Sequence, residues 1–180
     1  MSATLNLAPC DSVDIHRLAA KRGDDVPNNE RYPALILSDV LCGETDPGEI
    51  HALYAENGWG GSWTWQVFDY HHFHPDAFEV LAVAKGSATL MLGGPQGQEV
   101  EVSAGDVIIL PPGYGHKQIA KRDGFIVCGG YPPGQDNFST IRDSEGYDDR
   151  VLATIRGVAP PDVDPLYGQP FSRLVSMKDT

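Results

Sequence analysis

Cysteine is scarce in this chain. Cys10, Cys42 and Cys128 are the whole supply, an odd number with no C-x-x-C pair among them. That argues against a disulfide framework and for a reducing cytoplasm. Cys128 sits in the apolar run Phe125-Ile126-Val127-Cys128 and reads as a small core residue. Long apolar runs are also missing. No stretch approaches the roughly 18 residues of a membrane-spanning helix. The opening Met1-Ser2-Ala3-Thr4-Leu5 carries neither the basic nor the apolar region of a secretory leader. Cations are few: 13 Lys and Arg against 25 Asp and Glu leave a net charge of −12. Nucleic acid is recognised by neutralising its phosphates, so the balance excludes it as a partner, and anionic membrane surfaces with it. Two catalytic signatures are absent. Gly93-Gly94-Pro95-Gln96-Gly97 does not match a phosphate-binding loop, and there is no G-x-S-x-G nucleophile elbow.

Glycine and proline, by contrast, are plentiful, 20 and 14 of 180 residues. They punctuate short apolar runs, as a turn-rich sheet protein requires. The chain reads as one domain over 1–180. Residues 1–60 hold a polar arm, a strand from Tyr32 to Leu37 and a short helix. Asp46 caps that helix, Pro47 opens it, Ile50, Leu53 and Tyr54 form its apolar face, and Gly58 stops it. Residues 61–132 are strand-dominated. Val80 to Ala84 is nearly all apolar, as for a strand covered on both faces, and Glu99-Val100-Glu101-Val102 alternates cleanly. Residues 133–180 are Pro- and Asp-rich and read as an irregular tail wrapped on the core, frayed at its last residues. A small β-barrel or jelly roll follows.

Within the strand region lie two blocks of chemistry-bearing residues. His72, His74, Glu79 and Gly86 spell H-x-H-x4-E-x6-G. Gly105, Pro111, Gly113 and His116 spell G-x5-P-x-G-x2-H, and 18 residues separate the blocks. Three imidazoles and one carboxylate make a ligand set for one divalent transition metal, whether Fe, Mn, Ni, Co or Zn. On a strand His72 and His74 share a face. Glu79 lies an odd five positions further, and Pro75-Asp76 supplies the break that returns it to that face. With a dication the set keeps a net charge of about +1 and leaves two positions of a six-coordinate ion for water, dioxygen or a chelating substrate.

The same alternation puts Gln66, Phe68 and Tyr70 on the inner face and His71 outside. Tyr70 then either donates a hydrogen bond to a bound substrate or fills the core. Gln118, two residues past His116, either orients a substrate or ligand or reaches solvent at the barrel mouth. Tyr70 and Gln118 are the candidate catalytic residues. Trp63 and Trp65 read as core or dimer-interface residues, and His16 and His51 as solvated side chains.

The two blocks resemble the paired motifs of the cupin superfamily. The resemblance is incomplete at its ends, with Gln66 where the first motif opens on Gly and Ala120 where the second closes on Asn. Tyr70-His71-His72-Phe73-His74, Leu92-Gly93-Gly94, Gly115-His116-Lys117, Gly130-Tyr131-Pro132 and Asp164-Pro165-Leu166-Tyr167-Gly168 are similar to the small bacterial YjlB-like cupins. In that group a further His often precedes the Glu; here Phe78 stands there. The resemblance implies a double-stranded β-helix and a homodimer exchanging N-terminal strands. It implies a metal-dependent oxidoreductase of dioxygenase type acting on a small chelating or anionic substrate. Two other readings stay open. One is a redox-neutral isomerase or lyase for a sugar or keto acid, which needs a separate proton shuttle. The other is a non-catalytic small-molecule-binding cupin.

Overall fold

The computed structural model describes residues 5–176; the expected fraying of the last residues falls on 177–180, outside them, as do Met1 to Thr4. Among the described residues nine strands form one antiparallel sheet. They are β1 (Asp14–Leu18), β2 (Ala34–Ser38), β3 (Gly60–Trp65), β4 (His72–Phe73), β5 (Glu79–Leu92), β6 (Gln98–Ser103), β7 (Val107–Leu110), β8 (His116–Tyr131) and β9 (Ile141–Arg142). The hydrogen-bonded path runs β1-β2-β7-β5-β8-β4-β9, with β3 also on β8 and β6 also on β5. The path stays open, since β1 and β9 end it without meeting. The molecule is a mainly-β double-stranded β-helix.

Its two long strands organise the rest. The runs from Val80 to Ala84 and from Ala88 to Leu92 are one strand, β5, bent between them. Gly86 makes the bend with φ +69°, where a Cβ would stand 2.5 Å from the Arg122 carbonyl oxygen. β5 pairs β8 from Val80↔Gly130 to Leu92↔His116, with register shifts around the bend. β7 takes the free edge of its first half and β6 that of its second.

Alternation then sorts the side chains into two cores. Val80, Ala82 and Ala84 join Leu35, Leu37, Val107 and Ile109 in an outer core. Leu81, Val83, Leu90, Ile108 and Val127 fill an inner one. Both faces of the first half of β5 are covered, as its unbroken apolar run requires.

The outer core is roofed by α1 (Pro47–Glu56), whose N-cap Asp46 accepts a hydrogen bond from Gly48 N at 2.8 Å. Ile50 and Tyr54 are fully buried there. His51 is not solvated as expected: it is half-buried, its Nε2 lying 2.6 Å from Thr64 Oγ1. His16 is exposed and Cys128 buried.

The tail is less irregular than its composition implies. It carries α2 (Asp149–Gly157) and α3 (Phe171–Ser176). Asp148 caps α2 by accepting from Arg150 N and Val151 N, each at 3.1 Å, and Phe171 and Leu174 of α3 enter the outer core. In the arm, β1 pairs with β2 of its own chain, Ile15 opposite Leu37. Among the described residues no helix is long and apolar enough to cross a membrane.

Candidate metal centre

The site forms where the short β4 crosses β8. His72 stands opposite His116 in the ladder. Phe73 turns away and is fully buried, so His74 comes back to the side of His72. Pro75 and Asp76 break the strand, and β5 begins at Glu79, opposite Leu110. All four side chains are buried, none more than 6% exposed. Ring centroids of His72 and His116 are 4.0 Å apart, and those of His74 lie 5.5 and 5.4 Å from them. One nitrogen from each ring falls within 4.8 Å of the others. Glu79 Oε2 is 3.4 Å from His74 Nε2, and its Oε1 is 3.2 Å from His116 Nε2.

The imidazoles are held in one tautomer. His72 Nδ1 lies 3.1 Å from the Tyr70 carbonyl, His116 Nδ1 3.0 Å from that of Tyr114, and His74 Nδ1 3.0 Å from that of Ser139. A carbonyl only accepts, so each Nδ1 carries a proton and each neutral ring offers its Nε2 lone pair inward.

The donor chemistry fits a divalent ion. Two donors at right angles, each about 2.1 Å from one ion, lie about 3.0 Å apart, close to the Glu79–imidazole separations. Burial, aided by His116, drives His72 down to about 2, so it is neutral. Burial also opposes a charged His74, but the Glu79 carboxylate outweighs it and raises this imidazole. Glu79 is held well below the usual carboxylate range: burial disfavours its charge, and His74 and His116 more than offset that.

Several contributors lie outside the two motif blocks. Tyr131, at the end of β8, donates to Glu79 Oε2 at 2.6 Å and accepts from Trp63 Nε1 at 2.9 Å. Burial, reinforced by Glu79, pushes its phenol far up, so it stays a donor. Gly129 makes room for this relay, because a Cβ there would stand 2.1 Å from Trp63 Cε2. The start of the tail closes the other side. Ser139 supplies the carbonyl for His74, and Asp76 accepts from Ser139 N at 2.9 and 3.1 Å. The Phe138 ring stacks on Tyr131 with centroids 4.1 Å apart.

Tyr70 and Gln118 take other positions than strand alternation implies. The ladder of β3 ends at Trp65 and resumes only at His72, so the intervening residues follow no strand register. The Tyr70 ring stacks on Phe68 at 4.9 Å beneath the Arg142 guanidinium, 3.6 Å from its centroid. Tyr70 faces the site through its backbone carbonyl. Gln118 is buried, and its Oε1 accepts from Val67 N at 3.3 Å, bracing the same connection. Neither side chain lines the cavity of about 240 Å³ that opens from the ligands. Trp63 and Trp65 do line it, although Trp65 is 57% exposed. His71 stays outside it, with its carbonyl accepting from Asp143 N.

A double-stranded β-helix with a buried three-histidine group at the mouth of its inner core defines a metal-binding cupin. The family model described as a cupin domain matches residues 65–126, which hold all three histidines and Glu79. Over 145 residues the chain is 31% identical to "Uncharacterized protein YjlB" of Bacillus subtilis, covering 80% of this chain and 85% of that one. The chain belongs to the cupin family, among its small bacterial YjlB-like members. Among solved structures it is similar to an acireductone dioxygenase from Bacillus anthracis with cadmium in its active centre, at 21% identity and TM-score 0.35. That match covers 47% of this chain, which spans 57% of the dioxygenase. It is also similar to a double-stranded β-helix protein from Klebsiella pneumoniae, at 17% identity and TM-score 0.35, covering 76% of this chain and 84% of the other.

Proposed function

We propose that the protein is a metal-dependent oxidoreductase of dioxygenase type, acting on a small substrate that chelates the ion. His72, His74, Glu79 and His116 would hold one Fe, Mn, Ni or Co ion, which would bring a chelating substrate and dioxygen together. One observation carries the reading: beyond the ligands themselves, the cavity offers no acid or base free to move a proton. Among the described residues Tyr131 is the one other titratable side chain lining it. Its hydroxyl is committed to Glu79, and burial first, then Glu79, raises its pKa far above neutrality. An isomerase or lyase needs a proton shuttle beside the substrate, and Tyr70 and Gln118 do not line this space. A dioxygenase that adds both oxygen atoms to a substrate bound as its anion takes up no net proton. The protein's part is to fix three lone pairs and one carboxylate beside an apolar wall.

Elemental mass spectrometry of protein purified without chelator should find about one redox-active ion per chain. Oxygen-electrode screening with chelating substrates should then find uptake that a chelator or His72→Ala abolishes. A metal-loaded protein that turns substrate over without consuming oxygen would overturn the proposal in favour of Lewis-acid chemistry.

A further inference from the structure

We infer that the substrate is a monoanionic chelator with an apolar, ring-sized body and no second charged group. This rests on the metal reading above and extends it to the substrate's shape and charge. The wall above the ligands is Trp63, Trp65, Val67, Phe68, Leu81 and Phe138. The remaining polar lining is Gln66, Thr140 and the Tyr131 hydroxyl, itself occupied by Glu79. Among the described residues no Lys or Arg lines the space. Lys121 donates to Gln66 Oε1 at 3.1 Å, and the Arg142 guanidinium lies over the Tyr70 ring, itself outside the cavity lining.

Charge and size then choose the ligand. Three neutral imidazoles, one carboxylate and a dication leave about +1, which one negative chelating head neutralises. A second anionic group would be desolvated against aromatic rings with no partner. A sugar would lay its hydroxyls on the same rings and leave them unpaired. The cavity of about 240 Å³ exceeds the roughly 150 Å³ in which a dry pocket holds one benzene. It has room for one ring and a small head. Phe138 and Trp65 flank the entrance: Phe138 comes from the tail and is half-buried, and Trp65 is largely exposed. Neither belongs to the two cores.

Hydroxamates separate head from body, because the chelating group stays constant while the body changes. The protein is first titrated with Co(II), following its visible absorption. Acetohydroxamate, benzohydroxamate and 4-carboxybenzohydroxamate are then titrated by calorimetry. Benzohydroxamate should bind at least tenfold more tightly than acetohydroxamate, and the added carboxylate should remove that gain. Phe138→Ala, and separately Trp65→Ala, should weaken benzohydroxamate at least fivefold and leave acetohydroxamate within twofold. Equal affinity for the first two, or preference for the carboxylated ring, overturns the inference while leaving the metal centre standing. Absence of Co(II) uptake, seen before any hydroxamate is added, sinks the metal reading and takes this inference with it.

Discussion

The Tyr131 hydroxyl shows how much a single side chain decides at this site. Its hydrogen bond fixes one carboxylate oxygen of Glu79 and leaves the other beside His116. Tyr131→Phe should therefore leave the fold intact and weaken metal binding by about tenfold or more, as loss of an orienting partner does. Competition with a coloured chelator would read this directly, and unchanged affinity would count against an orienting role.

Competition between protons and metal gives a second expectation. The imidazoles and Glu79 bind an ion only in their deprotonated forms, so apparent metal affinity should fall on acidification. A flat profile would contradict ligation by these groups. The metal-free protein has its own pH dependence, and the signs differ by group. His74 is raised in the folded state, so its contribution is full below about 6.5 and is lost as pH rises through its folded value. His72 is depressed to about 2, so acid below about 6.5 favours the unfolded chain, which takes up the proton. Glu79 is also depressed and adds to that loss below about 4.5. Melting temperature in the presence of chelator should therefore peak near pH 6.5, about the ordinary histidine value.

At the scale of elements, β8 carries the site at both ends, His116 at its start and Tyr131 at its close. Gly129 sits beside the second end, and alanine there would collide with the Trp63 indole. Gly129→Ala should lower stability by about 1–3 kcal/mol, as overpacking does, and weaken metal binding by displacing the Trp63–Tyr131 relay. Denaturant melts and metal competition on one preparation would show both; loss of stability alone would separate Trp63 from the site.

The ligands were legible in the sequence because metal chemistry demands scarce residue types at fixed offsets, and Pro75-Asp76 marked the turn that returns Glu79. The inward placement of Gln66 and Phe68 was legible too, since both line the cavity. That of Tyr70 was not, because alternation holds only along a strand and here the ladder stops at Trp65. Ser139 could not be found at all, since every residue owns a carbonyl and only the fold says which one meets His74. Helix α2 had a signal that the Pro- and Asp-rich surroundings masked: Asp148 caps it, and Val151, Leu152 and Ile155 recur at helical spacing.

For the whole molecule we expect a homodimer, of mass near twice 19.5 kDa. Among the described residues β3 pairs with β8 alone, which leaves it a further edge beside the exposed Trp65. With −12 charges on each chain, association should tighten as salt screens the repulsion. Light scattering across a salt series would test this, and a monomeric mass throughout would refute it.

The Ser139 carbonyl has a consequence in time. Chains emerge from the ribosome N-terminus first, so all four ligands are made before the group that orients His74. Until residue 139 has arrived and Asp76 has clasped it, that imidazole is free to turn its lone pair away. The nascent chain should thus be a poor metal trap, and selection of the ion should fall to the finished protein. A chain ending at Tyr131 keeps every ligand, so its metal retention, set against that of a chain running past Arg142, would show whether the last clasp sets the moment of loading.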